Sequence, residues 1–238
     1  MIKIVNSAGH GEIWIYGDVV DNFDGEILKQ CGIGDAFVWP ENIKNQLAEL
    51  KGKPLDVYIA SDGGLVSAGW AIANMLQRHD APVTAHIDSW AASIASVIAL
   101  ACDKVIMPAN TYLMIHRPQV TARGNVDDLK DAIAFLENIT DSIVKTYMEA
   151  AADGVTEDRI RDLMNQESWL QAEQCAELFK TVELAEKRLE AVAQVTNFAT
   201  APECLKVTRA NDAQKINMAE IAKSLRESYE VLKNEKVD

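Results

Sequence analysis

The chain has 238 residues, enough for one sizeable domain with an appendage or for two small domains. Hydrophobic residues make up 48%, which excludes wholesale disorder. The formal net charge of −13 argues against a nucleic-acid partner, which would need a basic patch, and keeps crowded copies apart.

Residues 1–6 show no signal-peptide core. The longest apolar run, residues 90–102, is too short to span a bilayer. A soluble cytoplasmic protein with no membrane partner is expected. Cys31, Cys102, Cys175 and Cys204 lie far apart, and no pair has metal-ligand or redox spacing. Reduced thiols are expected, with no metal and no cofactor.

Residues 12–20 carry Ile13 and Ile15 with the aromatics Trp14 and Tyr16, which predicts a strand ending at Gly17 and Asp18. Residues 23–39 are Gly-rich and predicted irregular. Pro40 and Glu41 open a predicted helix with Ile43, Leu47 and Leu50 on one stripe, stopped by Gly52 and Pro54. Residues 55–60 read as a short apolar strand. Ser61, Asp62, Gly63 and Gly64 then make a strand-to-helix turn, where the glycines permit positive φ and close backbone approach. It is either an ordinary tight turn or a loop that presents an N–H to a substrate carbonyl. A helix over residues 66–78 follows, with Trp70, Ile72, Met75 and Leu76.

Residues 83–87 read as a strand, and the run from Trp90 to about Cys102 as a buried helix. Ser93 then falls in the first helical turn, where free N–H groups and the dipole favour negative charge. Its hydroxyl is either a helix cap or a nucleophile with N–H groups nearby for an oxyanion. Residues 104–107 and 112–115 read as strands around Pro108, Ala109 and Asn110. The second delivers His116 at its end, a rigid place for a general base, with a structural role as the alternative. His10 falls in a loop. His79 lies near a helix C-terminus, where a cation is favourable, and His86 on the polar face of its strand.

Asn125 reads as an N-cap with Asp128 three residues on. Leu129, Ile133, Leu136, Ile139, Ile143 and Tyr147 then recur at helical spacing. The predicted helix is about 40 Å long, which suits projection into a neighbouring subunit or a plain amphipathic surface helix. Thr156 caps a short helix with Ile160, Leu163 and Met164. A last core helix over residues 172–179 leads to Val182 and Leu184. Residues 196–211 read as a linker. Asn217 and Glu220 then open an amphipathic helix with Met218, Ile221, Leu225, Tyr229 and Leu232 on its stripe. The expected organisation is a domain over residues 1–190 and a linker with a helical tail over 191–238. There is no internal repeat, no phosphate-binding Gly-x-x-x-x-Gly-Lys-Ser/Thr loop and no Gly-x-Ser-x-Gly elbow.

Four pieces occur in order: Ser61-Asp62-Gly63-Gly64, Ala91-Ala92-Ser93, Leu113-Met114-Ile115-His116-Arg117-Pro118 and Trp169-Leu170-Gln171-Ala172-Glu173. Together they resemble the Clp protease proteolytic subunit family, and most nearly its phage branch, the head maturation (prohead) proteases. The resemblance covers roughly residues 13–184. It implies an α/β fold, the ClpP/crotonase-like spiral of repeated β-β-α units, with a long protruding handle helix that stacks homo-oligomeric rings. It implies a serine endopeptidase acting on polypeptide substrates, and in a phage setting on scaffold, portal or coat precursors. Ser93 matches the nucleophile and His116 the general base. Glu167 stands where the family usually has the triad aspartate, with Asp162 as competitor. Gly64, with Gly63 possible, and Ile94 match the oxyanion-hole donors, each worth about 3–4 kcal/mol. Gln119, Val120 and Gly124, with Gly63, match the segments that line the substrate.

The chain departs from the family at Asp62, where proline is common, and its carboxylate is expected to point away from the oxyanion. Ser89 replaces a frequent glycine, and Phe179 stands where a glycine usually ends the last helix. Three other readings stay open. One is a host-type subunit fed by a separate ATPase. Another is a crotonase-type acyl-CoA enzyme. The third is a non-catalytic assembly or scaffold paralogue.

Overall fold

The computed structural model describes residues 5–7 and 9–185. The expected boundary at residue 190 and the tail helix over residues 217–232 lie outside the described residues. Strand β1 (Val5–Ser7) runs antiparallel to β2 (His10–Tyr16). Next come β3 (Asp18–Val19), α1 (Asn22–Gln30), a 3-10 turn at Gly34–Ala36, and β4 (Phe37–Val38), which pairs parallel with β3. Then follow α2 (Pro40–Glu49), β5 (Leu55–Ser61), α3 (Val66–Gln77), β6 (Val83–Ala92), α4 (Ile94–Leu100), β7 (Lys104–Met107) and β8 (Tyr112–Ile115). The chain continues through α5 (Val126–Ala150), α6 (Glu157–Asn165), β9 (Ser168–Gln171), α7 (Ala172–Leu178) and β10 (Val182–Leu184).

The main sheet has the order β1-β2-β5-β6-β7-β10 and is parallel from β2 onward. Parallel neighbours need crossovers, and the helices between these strands supply them. The core is apolar: Ile13, Ile15, Val57, Ile59, Ala85, Ile87 and Val105 are all fully buried. They pack with Ile72 of α3 and Ile98 of α4 in one cluster. β5 alternates strictly between buried and half-buried residues. The sheet therefore keeps one open face, where Trp14, Tyr58 and His86 stack with ring centroids 5.3 Å and 5.0 Å apart. On that face Asp56 holds both His10 and His86 at 2.9 Å, so His10 starts a strand and not a loop. His79 is tied to the Lys53 carbonyl at 2.8 Å.

β6 is the long strand, and its two halves have different neighbours. Thr84–His86 pair with β7, whereas Trp90–Ala92 pair with β8. Against β5 the register slips between Ile59/Ile87 and Ser61/Ala91. Such a bulge re-aims the strand beyond it, here toward β8. β9 closes this side by pairing antiparallel with β8.

Two further sequence expectations need correction. Residues 23–39 are not irregular, because α1 occupies most of the first half. Asp21 caps it by accepting from the Asp24 N–H, and Gly25 lets Trp39 lie against the helix, since a Cβ there would sit 2.4 Å from the indole. The strand expected to stop at residue 87 runs on to Ala92, and the helix after it starts only at Ile94. Residues 168–171, given no element from sequence, form a strand with only Leu170 buried. Phe179 needs no glycine conformation: its φ is −126 and it is fully buried against Tyr147.

The long helix forms as expected from an Asn125/Asp128 capping box. At 25 residues it is about 37 Å long. Its buried positions begin only at Thr140, so the first half stands out from the body, with Val126, Leu129, Ile133 and Phe135 exposed.

Candidate active site

Ser93 sits between the end of β6 and the start of α4, at φ 54 and ψ −126. A non-glycine residue holds positive φ at a cost and only when its surroundings impose it. The residue occupies the N-cap position but its side chain does not cap the helix. Instead its Oγ lies 2.8 Å from His116 Nε2. The hydroxyl and the imidazole that sequence reasoning paired across 23 residues are thus in proton-transfer distance. The strand β8 aligns both: the Ser93 N–H donates to the Met114 carbonyl at 2.9 Å, and His116 follows two residues later.

The glycine loop packs against this elbow. Gly63 has φ 99 and Gly64 φ 142, a region that favours glycine. A Cβ on Gly63 would lie 2.7 Å from the Ala92 carbonyl oxygen and from Ser93 Cβ, and one on Gly64 would lie 2.1 Å from the Val19 carbonyl oxygen. Ser61 fixes the loop: its hydroxyl donates to the Gly17 carbonyl at 2.6 Å and accepts the Gly63 N–H at 3.1 Å. That engagement takes Gly63 out as an oxyanion donor. Among the described residues, no acceptor engages the Gly64 or Ile94 N–H groups. Ile94 approaches α3 closely because position 69 is glycine: a Cβ there would lie 2.1 Å from Ile94 Cγ1. Asp62, the departure noted above, has its carboxylate held by the Trp90 indole N–H at 2.5 Å.

The third acid is the least formed part of the site. Extending the β8–β9 register by one pair beyond Ile115 and Ser168 sets Glu167 opposite His116. Yet Glu167 is exposed, has φ 50, and makes no hydrogen bond or ion pair to His116. The left-handed turn into β9 takes its backbone off the ladder just where the pair would form. Asp162 lies on α6, exposed, and does not bond the imidazole either. Gln119, Val120 and Gly124 lie in an exposed segment after β8 that joins no strand among the described residues.

A narrow apolar pocket opens beside the pair, lined by Val66, Val97, Pro118, Ile143 and Tyr147. Cysteine chemistry is disfavoured nearby: burial pushes the Cys102 thiol up, and the Cys175 thiol to about 12. Among the described residues no His, Cys, Asp and Glu cluster could hold a metal ion. No helix among them is long and apolar enough to cross a membrane. Sequence reasoning named Ser61 only as part of the glycine turn and gave Gly69 and Ser96 no role. Only the glycine at 69, inside a helical pattern, carried a signal of close approach.

Residues 40–178 match the family model described as Clp protease. ATP-dependent Clp protease proteolytic subunit 2 of Treponema denticola is 31% identical over 139 residues, covering 57% of this chain and 68% of the relative. Proteolytic subunit 1 of Chlamydia muridarum is 28% identical over 130 residues, covering 53% of this chain and 67% of the relative. The solved structure of a ClpP1 mutant from Listeria monocytogenes shares the fold, with a TM-score of 0.59 at 23% identity over 74% of this chain and 92% of that one. With its elbow serine, its strand-end histidine and its glycine loop inside the matched segment, the chain belongs to the Clp protease family of serine peptidases.

Proposed function

We propose that this chain is a serine endopeptidase that cleaves extended or unfolded polypeptides as a subunit of a homo-oligomeric ring. The reading rests on one observation above all, the 2.8 Å contact between Ser93 Oγ and His116 Nε2 at a strained elbow. His116 takes the proton from Ser93 as its Oγ attacks the peptide carbonyl. The Gly64 and Ile94 N–H groups receive the oxyanion. His116 then protonates the leaving amine, and water releases the acyl-enzyme by the reverse sequence. Val66, Val97 and Pro118 give the substrate an apolar wall beside Ser93. The segment through Gln119, Val120 and Gly124 offers its backbone to an extended substrate, whereas Gly63 has its N–H bonded to Ser61 and its carbonyl to the Val19 N–H.

Glu167 is the acid for the triad. A developing imidazolium attracts the carboxylate set opposite it, although the two are apart in this structure. A fluorophosphonate probe should label the wild type and leave Ser93→Ala unlabelled, and equal labelling of both would end the hydrolase reading. Glu167→Gln should lower peptide turnover by about tenfold, against a loss of about 10⁴-fold or more for Ser93→Ala. Unchanged turnover in Glu167→Gln, measured on the same peptide, would remove it from the mechanism.

Two settings suit this chemistry. The phage-type motif resemblance supports maturation cleavage of scaffold, portal or coat precursors. The relatives named as ATP-dependent Clp subunits support a peptidase fed by a separate ATPase. Cleavage of co-expressed shell precursors without any ATPase favours the first. Degradation of folded substrates only when a ring ATPase and ATP are added favours the second.

A further inference from the structure

Ser93 is clamped on both sides of its strained backbone. Its N–H donates to the Met114 carbonyl at 2.9 Å. Its own carbonyl accepts from the Ser96 N–H at 3.1 Å and from the Ser96 hydroxyl at 2.6 Å. Ser96 is fully buried, and its oxygen lies 2.8 Å from the hydroxyl of Tyr147, which is 1% exposed on α5. A serine has one hydroxyl proton. With that proton given to the Ser93 carbonyl, the bond to Tyr147 must carry the tyrosine's proton. The direction is therefore fixed: Tyr147 O–H to Ser96 Oγ, then Ser96 O–H to the Ser93 carbonyl. Burial pushes the Tyr147 phenol upward, which keeps it a neutral donor.

The clamp matters because Ser93 has an easier alternative. A serine at a helix N-cap ordinarily turns its Oγ to accept the N–H two or three residues on, in an extended conformation. For Ser93 those donors are the N–H groups of Ala95 and Ser96. Oγ so used would leave His116. Holding the carbonyl from Ser96 opposes that relaxation and also sets the peptide plane that aims the Ile94 N–H.

We propose that Ser96 and Tyr147 are positioning residues, a buried hydroxyl relay from α5 that holds Ser93 in its reactive rather than its capping conformation. The proposal rests on the reading of Ser93 as the nucleophile. It ties the second half of the long helix to the reacting atom through two hydroxyls.

The test is a concentration series of fluorophosphonate inactivation on the full chain, giving a maximal inactivation rate and an apparent binding constant. It is run on wild type, Ser96→Ala, Tyr147→Phe and the double variant. Ser96→Ala should lower the maximal rate by about tenfold and Tyr147→Phe by a few-fold, with binding constants unchanged because the pocket keeps its shape. The double variant should be no slower than Ser96→Ala, since Tyr147 acts through Ser96. A merely structural role would lower the melting temperature, leave the rate of the folded fraction intact, and overturn the proposal. Losses that multiply in the double variant would overturn it too. If Ser96→Ala does not fold, Tyr147→Phe, which keeps the ring, decides by its rate alone. A wild type that takes no label would sink the nucleophile reading itself; a labelled wild type with unaffected variants would sink only the relay.

Discussion

At position 93 the demands of stability and of reactivity oppose each other, and two inactive variants can separate them. Ser93→Ala and Ser93→Gly both lack the attacking oxygen, but only glycine holds φ 54 without a Cβ penalty. Ser93→Gly should be more stable than Ser93→Ala by about 1 kcal/mol, read from denaturant unfolding of the two proteins. Equal stabilities would mean that the elbow stores no strain. The pairing of Ser93 with His116 was legible in the sequence because ordered short motifs resemble those of a known family. The conformation of Ser93 was not: a serine before a helix is ordinarily a cap, and the contacts with Met114, Ser96 and His116 that accompany its other conformation exist only in the folded chain. Glu167 shows the same limit from the other side. Its position two residues before Trp169 was legible through the resemblance, while the left-handed backbone that keeps its carboxylate from His116 depends on the turn from α6.

Among the elements, those with a strong period or a cap were read well. α5 carried a capping box and a long apolar stripe, and β5 carried a short apolar run. α1 was missed because its contact with the core runs through Gly25, its only buried residue, which leaves no stripe of large apolar side chains. β9 was missed because four residues with one buried side chain give no alternation to detect, and β8 imposes the strand on them. The α3–α4 contact turns such local detail into function. Gly69→Ala would drive a methyl into Ile94, the residue whose N–H we propose as an oxyanion donor. Peptide turnover should fall by about tenfold or more, with a loss of about 1–3 kcal/mol in stability from overpacking. Wild-type turnover in Gly69→Ala would show that Ile94 can yield without disturbing its N–H.

For the molecule as a whole, the half-projecting α5 is the feature the body does not use. Its first half leaves Leu129, Ile133 and Phe135 exposed, although a lone surface helix gains nothing from them in water. A ring-forming subunit gives these side chains a partner. Ile133→Glu with Phe135→Glu should reduce the assembled mass seen by native mass spectrometry while leaving the far-ultraviolet circular dichroism unchanged. An unaltered mass would place the assembly contact elsewhere. The fold class was legible through four ordered motifs that resemble a known family, and the solved ClpP1 structure shares that fold. The open face of the sheet was less so, because half-buried Trp14, Tyr58 and His86 read in sequence as ordinary strand residues.

The split pairing of β6 has a kinetic meaning. Its second half is fastened to β8, and β8 supplies both the carbonyl that grips the Ser93 amide and the residue chain that ends in His116. Loosening that one seam by heat or denaturant parts the hydroxyl from the imidazole at the same instant. Inactivation then tracks the unzipping of six paired residues, and no half-open form retains a primed serine.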